Sequence, residues 1–299
     1  MRHVVGIDAG GTKTVGLLAD EEGTVVAEAR AGGANLQTHG ELQVEKVFDE
    51  ILEALGAGHS ADAVCVGIAG VDRPRDETVI RSVLRRLGHR DRARVVNDAV
   101  IALVAGAPAR HGIVVLAGTG SIVHGQDPGG RTARAGGYGY LLADEGSAYW
   151  LGHQALRAAV RAADGRGPET LLGALVLDAL GAASVPDLVP RVYERSVARF
   201  EVAALAALVQ EAADRGDVLG AGLLDEAASE LALGVQAVAR RLSFRDDVFP
   251  VVLAGGAFKA CPGLIGRLEG RVDLPGAPPA QLEGEPARGA VALARELLR

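Results

Sequence analysis

The segment Gly136–Trp150 concentrates residue types that can bind a ligand. It combines flexible glycines, the adjacent carboxylates Asp144 and Glu145, and the start of a helix. That combination is not typical of a buried core segment, whereas it is typical of a pocket that binds a small hydroxylated ligand. Carboxylates at a helix N-terminus are stabilised by the helix dipole, which is the purely structural explanation. The glycines favour a loop shaped around a ligand, in which Asp144 accepts hydrogen bonds from sugar hydroxyls.

A glycine-rich turn follows the first apolar run, in the segment Asp8–Thr14. Its glycines let backbone N–H groups approach an anion, and its hydroxyls and lysine add donors and positive charge. The candidate phosphate-binding residues are Gly10, Gly11, Thr12, Lys13 and Thr14. Asp8, at the expected strand end, could hold Mg²⁺ directly or through water. The Walker spacing is absent, and a plain hairpin turn fits this segment equally well.

A second turn repeats this arrangement further along the chain, with Gly118, Thr119, Gly120 and Ser121 after an apolar run. Two such turns could clamp a polyphosphate from both sides, and their recurrence at equivalent places favours that function over two hairpins. Gly255 and Gly256 follow the last apolar run. They would let a purine lie against the backbone, although a tight strand-to-helix turn is an equally good explanation.

Asn97 and Asp98 follow a short expected strand and open an expected helix. An Asp in that place can be a helix N-cap, which from position alone is the favoured interpretation. A carboxylate at the carboxyl end of a strand is also well placed to take a proton from an attacking hydroxyl. The two roles are compatible.

The order of elements predicts an α/β fold built by internal duplication, because strand, glycine turn and strand open each half. We expect an N-terminal domain over residues 1–105 and a C-terminal domain with a helical insertion over 106–286. The last helix, 287–299, is expected to pack back on the first domain. Residues 147–242 are predicted to be mainly helical.

Composition narrows the function classes. The 299 residues carry a net charge of −7, which disfavours a general nucleic-acid binder. The cysteines, Cys65 and Cys261, form no CxxC pair, which disfavours disulfide, zinc and iron–sulfur sites. There is no leader-like N-terminus and no apolar run of about 18 residues. We therefore expect a soluble cytoplasmic protein that has no membrane or nucleic-acid partner.

The motifs Asp8–Thr14, Asn97-Asp98, Gly118–Ser121, Gly136–Trp150 and Gly255-Gly256 occur in this order over nearly the whole chain. Together they resemble the BadF/BadG/BcrA/BcrD-type ATPase family, and within it the N-acetylglucosamine kinases. The resemblance implies two ribonuclease-H-like domains of the actin/Hsp70/sugar-kinase fold, with ATP in a central cleft. It also implies ATP and Mg²⁺ as cofactors, a small sugar as substrate and a homodimer.

The resemblance assigns roles to individual residues. It makes Asp98 the catalytic base that deprotonates the sugar 6-hydroxyl, which favours that role over the helix cap. It makes the two glycine turns phosphate loops, Gly255 and Gly256 part of the adenosine site, and Asp8 the metal-binding residue. The implied sugar-binding residues are Asn35, Asp98, Ser121, Gly137, Asp144 and Ala148.

One position departs from the pattern. N-acetylglucosamine kinases commonly carry Asn after the second turn, where this chain has Ile122. Glucosamine, glucose, N-acetylmannosamine and a muramic derivative therefore stay open as substrates. Two other classes also stay open: an ATPase that activates a partner enzyme, and a sugar sensor without turnover. The first would need an iron–sulfur cluster held by cysteines, which the two cysteines do not offer.

Overall fold

The computed structural model describes residues 2–57, 61–194, 198–244, 248–274 and 278–299. The chain divides into two compact units. The first comprises Met1–Val114, His124–Thr132 and Leu282–Arg299, and the second comprises Val115–Val123 and Ala133–Gln281. The domain limits expected from the sequence stay a prediction.

The first unit contains a mixed sheet with the strand order β3-β2-β1-β4-β5. Its strands are β1 (His3–Ala9), β2 (Lys13–Asp20), β3 (Val25–Gly32), β4 (Ala63–Ile68) and β5 (Ala93–Asn97). The pairs β1–β2 and β2–β3 are antiparallel, whereas β1–β4 and β4–β5 are parallel. The carboxyl ends of β1, β4 and β5 therefore meet at one edge of the sheet.

Helices cover both faces of this sheet. They are α1 (Leu36–Ala54), α2 (Pro74–Arg86), α3 (Asp98–Gly106) and α11 (Ala287–Glu296). Alternate residues of β1 face opposite layers: Val5 and Ile7 belong to the core shared with α1 and α2, and Val4 belongs to the core shared with α11. Because both faces are buried, β1 reads as a continuous apolar run rather than an alternating one.

The second sheet has the order β10-β9-β6-β7-β8. Its strands are β6 (Gly112–Ala117), β7 (Ser121–Gln126), β8 (Thr132–Gly136), β9 (Val251–Ala254) and β10 (Ala280–Gln281). Read from its other edge, β8-β7-β6-β9-β10 repeats the first sheet strand for strand, and β9–β10 is parallel as β4–β5 is. The predicted internal duplication is confirmed.

The segment predicted to be helical carries most of the second unit's helices. They are α4 (Ala148–Ala163), α5 (Leu172–Ala179), α6 (Arg199–Ala204), α7 (Ala206–Asp214) and α8 (Val218–Ala239). A 3₁₀ turn, Val185–Asp187, and a π-helical turn, Pro190–Glu194, lie between α5 and α6. Two short helices, α9 (Gly256–Ala260) and α10 (Gly263–Glu269), follow β9.

Over the part of the chain that the structure describes, no helix is both long and apolar enough to cross a lipid bilayer. Cys65 and Cys261 are free and buried, and burial raises the pKa of each thiol to about 12. Both therefore stay protonated at neutral pH and pack as small apolar side chains.

Candidate active site

Asp8 lies one residue before the end of β1, where the strand is flanked by Val15 of β2 and Gly67 of β4. Burial raises the pKa of its carboxyl from 3.8 to about 7. The positive charge of Lys13 opposes this rise and the negative charge of Glu285 adds to it. A desolvated carboxylate at a strand end is a strong binding site for a cation.

Asp98 is the first residue of α3, directly after β5. Burial raises the pKa of its carboxyl to about 7, and the negative charges of Asp8 and Asp72 contribute to the rise. The structure thus brings Asp8 and Asp98, which are 90 positions apart, into electrostatic contact. A carboxylate with a pKa near 7 is suited to general-base catalysis at neutral pH.

The interpretation of Asp98 as the helix N-cap is wrong by one residue. The cap is Asn97, whose Oδ1 accepts a hydrogen bond from the N–H of Ala99 at 2.9 Å. The Asn97 amide also donates to Asp72 Oδ1 at 3.1 Å, which joins the loop after β4 to the end of β5. Asp98 Oδ1 also accepts the N–H of Ala99, at 3.0 Å, so the Asp98 carboxylate shares this donor with the Asn97 cap.

The first glycine turn is closed by the N–H of Gly10, which donates to the carbonyl of Lys13 at 3.0 Å. The Gly10 carbonyl in turn accepts the N–H of Ala34 at 2.9 Å. The side chains of Thr12 and Lys13 are exposed, whereas Thr14 is fully buried. The Thr14 hydroxyl donates to the carbonyl of Gly32 at 2.8 Å, so this side chain fastens β2 to the end of β3.

Asn35 is the N-cap of α1. Its Oδ1 accepts the N–H groups of Gln37 at 2.9 Å and Thr38 at 3.2 Å. These bonds fix the side chain next to Gly70, since a methyl group there would lie 3.0 Å from Asn35 Oδ1. Gly70 follows β4, so Asn35 lies near the same strand ends as the carboxylates of the first unit.

In the second unit, the second glycine turn joins β6 to β7. The N–H of Gly118 donates to the carbonyl of Gly120 at 2.8 Å, and the carbonyl of Gly118 accepts the N–H of Ala148 at 2.9 Å. Ser121 is buried, and its hydroxyl donates to the carbonyl of Glu145 at 2.7 Å. The turn is therefore tied to the start of α4 by two bonds.

Asp144 lies on this turn, because a methyl group at Gly120 would be 2.8 Å from Asp144 Oδ2. Its backbone is in the left-handed region, with φ of 69°. Burial raises the pKa of the Asp144 carboxyl, while hydrogen bonds from the N–H of Ser121 and Gly139 and the charge of Arg199 oppose the rise. The structure thus places Asp144, the sugar-binding candidate of the glycine-rich segment, against the second glycine turn.

Gly137 has a φ of 75° and lies against Ile122, since a methyl group at Gly137 would be 2.8 Å from Ile122 Cδ1. Ile122 is only 8% exposed. The residue that replaces the expected Asn therefore contacts a residue predicted to bind sugar.

Gly255 directly follows β9 and has a φ of 111°, and a side chain there would overlap the backbone of Ala117. Ala117 directly precedes the second glycine turn, so the two glycine motifs of this unit are neighbours. Gly256 begins α9 and is exposed, with open space where a side chain would lie. A flat group could approach the backbone at this place.

The donor set is suited to Mg²⁺, which prefers carboxylate oxygens and is usually bound by one or two of them together with substrate phosphates. Asp8 supplies such oxygens in a desolvated place, where the charge of a cation would relieve the repulsion between its carboxylate and that of Asp98. Among the described residues, there is no group of three or more His, Cys, Asp or Glu side chains that could hold a metal alone.

Sequence reasoning missed Asp72 and Glu285, which act on Asp98 and Asp8 through their charges. Neither belongs to a glycine-rich or paired-carboxylate motif. A weak signal for Asp72 was its place after a buried strand. Glu285 had no signal, because only the folded chain brings it to the first glycine turn.

The repeated sheet, with a glycine turn between its first two strands in each copy, defines the class as the actin/Hsp70/sugar-kinase fold. This fold was predicted from the sequence. A solved protein of Chromobacterium violaceum assigned as an N-acetylglucosamine kinase has the same fold, with a TM-score of 0.78 and 30% identity over 98% of this chain and 99% of that one.

The family is the BadF/BadG/BcrA/BcrD ATPase family, to which this chain belongs through a match over residues 5–294. The family predicted from the sequence is confirmed, and its description as an ATPase family agrees with ATP as the predicted nucleotide.

Two curated relatives are similar over nearly their full length. The chain is 37% identical to the N-acetylmuramic acid/N-acetylglucosamine kinase of Clostridium acetobutylicum, covering 99% of each chain. It is 30% identical to the N-acetyl-D-glucosamine kinase of Dictyostelium discoideum, covering 97% of each.

Proposed function

We propose that this protein is an ATP-dependent kinase that transfers the γ-phosphoryl group of ATP to the 6-hydroxyl of N-acetylglucosamine or a related hexosamine or hexose. Full-length similarity to two amino-sugar kinases supports the substrate class. The single structural observation that carries the proposal is the pair of desolvated carboxylates, Asp8 and Asp98, at the carboxyl ends of β1 and β5, on the same edge of the sheet. Asp8 can bind a cation while Asp98 takes a proton.

Asp98 acts as the general base in this proposal. Its carboxylate accepts the proton of the 6-hydroxyl as the oxygen attacks the γ-phosphorus, and the bond from that phosphorus to the β-phosphate oxygen breaks to release ADP. Because its pKa is about 7, transfer should rise with pH through that value as Asp98 loses its proton. Mg²⁺ bound at Asp8 would neutralise charge on the phosphates.

The remaining candidate residues divide between nucleotide and sugar. The backbone N–H groups of the two glycine turns and the Lys13 ammonium suit the phosphates, and Gly255 and Gly256 suit the adenosine. The residues assigned to the sugar are Asn35, Asp98, Ser121, Gly137, Asp144 and Ala148. The Ser121 hydroxyl and the Ala148 N–H already make hydrogen bonds within the chain. These two residues therefore shape the site mainly through the path of their backbone.

The contact between Ile122 and Gly137 bears on the choice of sugar. An apolar side chain at this place offers no hydrogen bond to a hydroxyl or acetamide group, and it offers contact to a methyl or methylene group instead. This favours a sugar whose substituent presents carbon rather than a further hydroxyl. We also propose that the protein is a cytoplasmic homodimer, by analogy with related kinases.

A substrate panel tests the function. The protein is incubated with Mg-ATP and, separately, N-acetylglucosamine, N-acetylmuramic acid, glucosamine, glucose and N-acetylmannosamine, and ADP release is followed. The proposal expects release that depends on one or a few of these sugars and is small without sugar. Release that is equal with and without sugar, or no release at all, would contradict it.

The alternative of an ATPase that activates a partner enzyme is not favoured by the full-length similarity to amino-sugar kinases. The sensor alternative is opposed by Asp98, because a desolvated carboxylate tuned to a pKa near 7 serves proton transfer rather than binding alone.

A further inference from the structure

Glu285 lies in the first unit, directly before Pro286 and α11, and each of its carboxylate oxygens pairs with a different cation. Oε2 lies 3.2 Å from Lys13 Nζ, and Oε1 lies 2.8 Å from an Nη of Arg30. Lys13 belongs to the first glycine turn, more than 270 positions earlier in the chain. The contact therefore exists only because the C-terminal segment returns to the first unit.

The two cations share one face of the sheet. In the register of β2 and β3, Lys13 pairs with Gly32 and Val15 pairs with Arg30. Since side chains alternate along a strand, Lys13 and Arg30 point to the same side. Their side chains are 52% and 53% exposed, whereas Glu285 is 19% exposed. The carboxylate is thus the more buried member of the cluster, and the two cations are the more exposed ones.

Arg30 is held from a second side as well. Its Nε donates to Glu28 Oε1 at 2.8 Å, so the guanidinium bridges Glu28 and Glu285. A bridged guanidinium has less rotational freedom than a singly paired one, and it fixes the Glu285 carboxylate in turn. The contacts therefore form a series in which Glu28 holds Arg30, Arg30 holds Glu285, and Glu285 holds Lys13.

We propose that Glu285 is a positioning residue for nucleotide binding, which holds the Lys13 ammonium at the first glycine turn so that it is in place for the phosphates of ATP. This inference rests on the proposed function. A long lysine side chain loses rotamer entropy when it binds an anion, and holding it beforehand lowers that cost. The opposite possibility is that Glu285 competes with the phosphates for Lys13, which predicts an effect of opposite sign.

The test compares Glu285→Gln with Glu283→Gln in the full-length protein. Glu283 is exposed two residues away, and among the described residues it makes no hydrogen bond or ion pair. We expect Glu285→Gln to raise KM for ATP about fivefold, the scale of one well-formed ion pair near a surface. The kcat and the KM for sugar should change by less than about twofold, and Glu283→Gln should leave all three unchanged.

A Lys13→Gln background separates positioning from a general effect of charge. If Glu285 acts through Lys13, Glu285→Gln should add less than about twofold to KM for ATP in that background. A fivefold effect that persists there would overturn the proposal. So would an unchanged or lowered KM for ATP in the single variant, or a fall in kcat alone.

Calorimetric titration with a non-hydrolysable ATP analogue provides the second readout and distinguishes the two proposals. If the unaltered protein does not bind the analogue, the proposed function fails. If the unaltered protein and the Glu285→Gln variant bind the analogue with equal affinity, only the positioning role of Glu285 fails. Should Glu285→Gln not fold, Glu285→Asp, which keeps the charge but shortens its reach, is expected to change affinity in the same direction.

Discussion

At the scale of the residue, the site depends on carboxylates whose ionisation is disfavoured by burial. Asp8, Asp98 and Asp144 all have a raised pKa, with burial as the largest cause. The sequence identified all three, because each stands beside a glycine turn or at the start of a helix. The sequence could not predict the pKa values of these carboxyls, because those values depend on which charges the fold places nearby.

Asp144→Asn should impair sugar binding without disturbing the fold. Asn tolerates the left-handed backbone that Asp144 adopts, with φ of 69°, and it still accepts the N–H groups of Ser121 and Gly139 through its oxygen. It loses the negative charge that strengthens hydrogen bonds from sugar hydroxyls. We expect KM for the sugar to rise by about tenfold or more, with KM for ATP nearly unchanged, in steady-state kinetics.

Glu145→Gln is the matched control, because the neighbouring side chain is exposed and only its backbone carbonyl contacts Ser121. It should leave both constants unchanged. Equal effects of the two substitutions, or an effect of Asp144→Asn on ATP alone, would remove Asp144 from the sugar site.

At the scale of the element, sequence patterns predicted the strands well because buried apolar runs ending in glycine are distinctive. The spacing of apolar residues between Val44 and Leu55 predicts a helix from Gly40, whereas the structure begins α1 at Leu36. The cap Asn35 starts the helix early, and Gly40, with φ of 76°, interrupts it. Capping bonds of this kind depend on side-chain geometry that apolar spacing does not encode.

The end of β9 offers a test of one glycine against its neighbour. Gly255→Ala should destabilise the protein by roughly 2–4 kcal/mol, because alanine is strained at a φ of 111° and its methyl group would overlap the backbone of Ala117. Gly256→Ala, with open space around it, should change the free energy of unfolding by less than about 1 kcal/mol. Urea unfolding measures both.

A small effect of Gly255→Ala would mean that the turn after β9 relaxes freely. The backbone there would then not be held close to the second glycine turn, and the assignment of this place to adenosine would lose its structural basis.

At the scale of the whole molecule, the duplication was predictable because the same order of strand, glycine turn and strand occurs twice in the sequence. The last helix was expected to pack on the first domain, but its individual long-range contacts were not predictable from one sequence. The C-terminal α11 packs on β1 and α3 through Val291 and Leu293, and Glu285 reaches Lys13. Nothing in the local pattern of residues 282–299 specifies which earlier strand they meet.

Buried carboxylates should make stability depend on pH. The pKa of Asp98 is raised from 3.8 to about 7 in the folded chain, so its stabilising contribution is lost as pH rises between these values. Asp98→Asn removes the buried charge and should raise the melting temperature at pH 8 by about 2 °C or more. At pH 4, where Asp98 is protonated in the folded chain, the difference should shrink.

The exposed Asp91→Asn change is the control and should shift the melting temperature equally at both pH values. A destabilising effect of Asp98→Asn at pH 8 would mean that the ionised carboxylate is stabilised by partners in the fold, contrary to its raised pKa.

Single-turnover phosphoryl transfer shows whether Asp98 takes the proton of the sugar hydroxyl. Unaltered protein and the Asp98→Asn variant are mixed with Mg-ATP and the sugar preferred in the panel, and sugar phosphate is quantified alongside calorimetric sugar binding. We predict that transfer falls by about 10²-fold or more while sugar binding stays measurable. Near-normal transfer by Asp98→Asn would contradict the account.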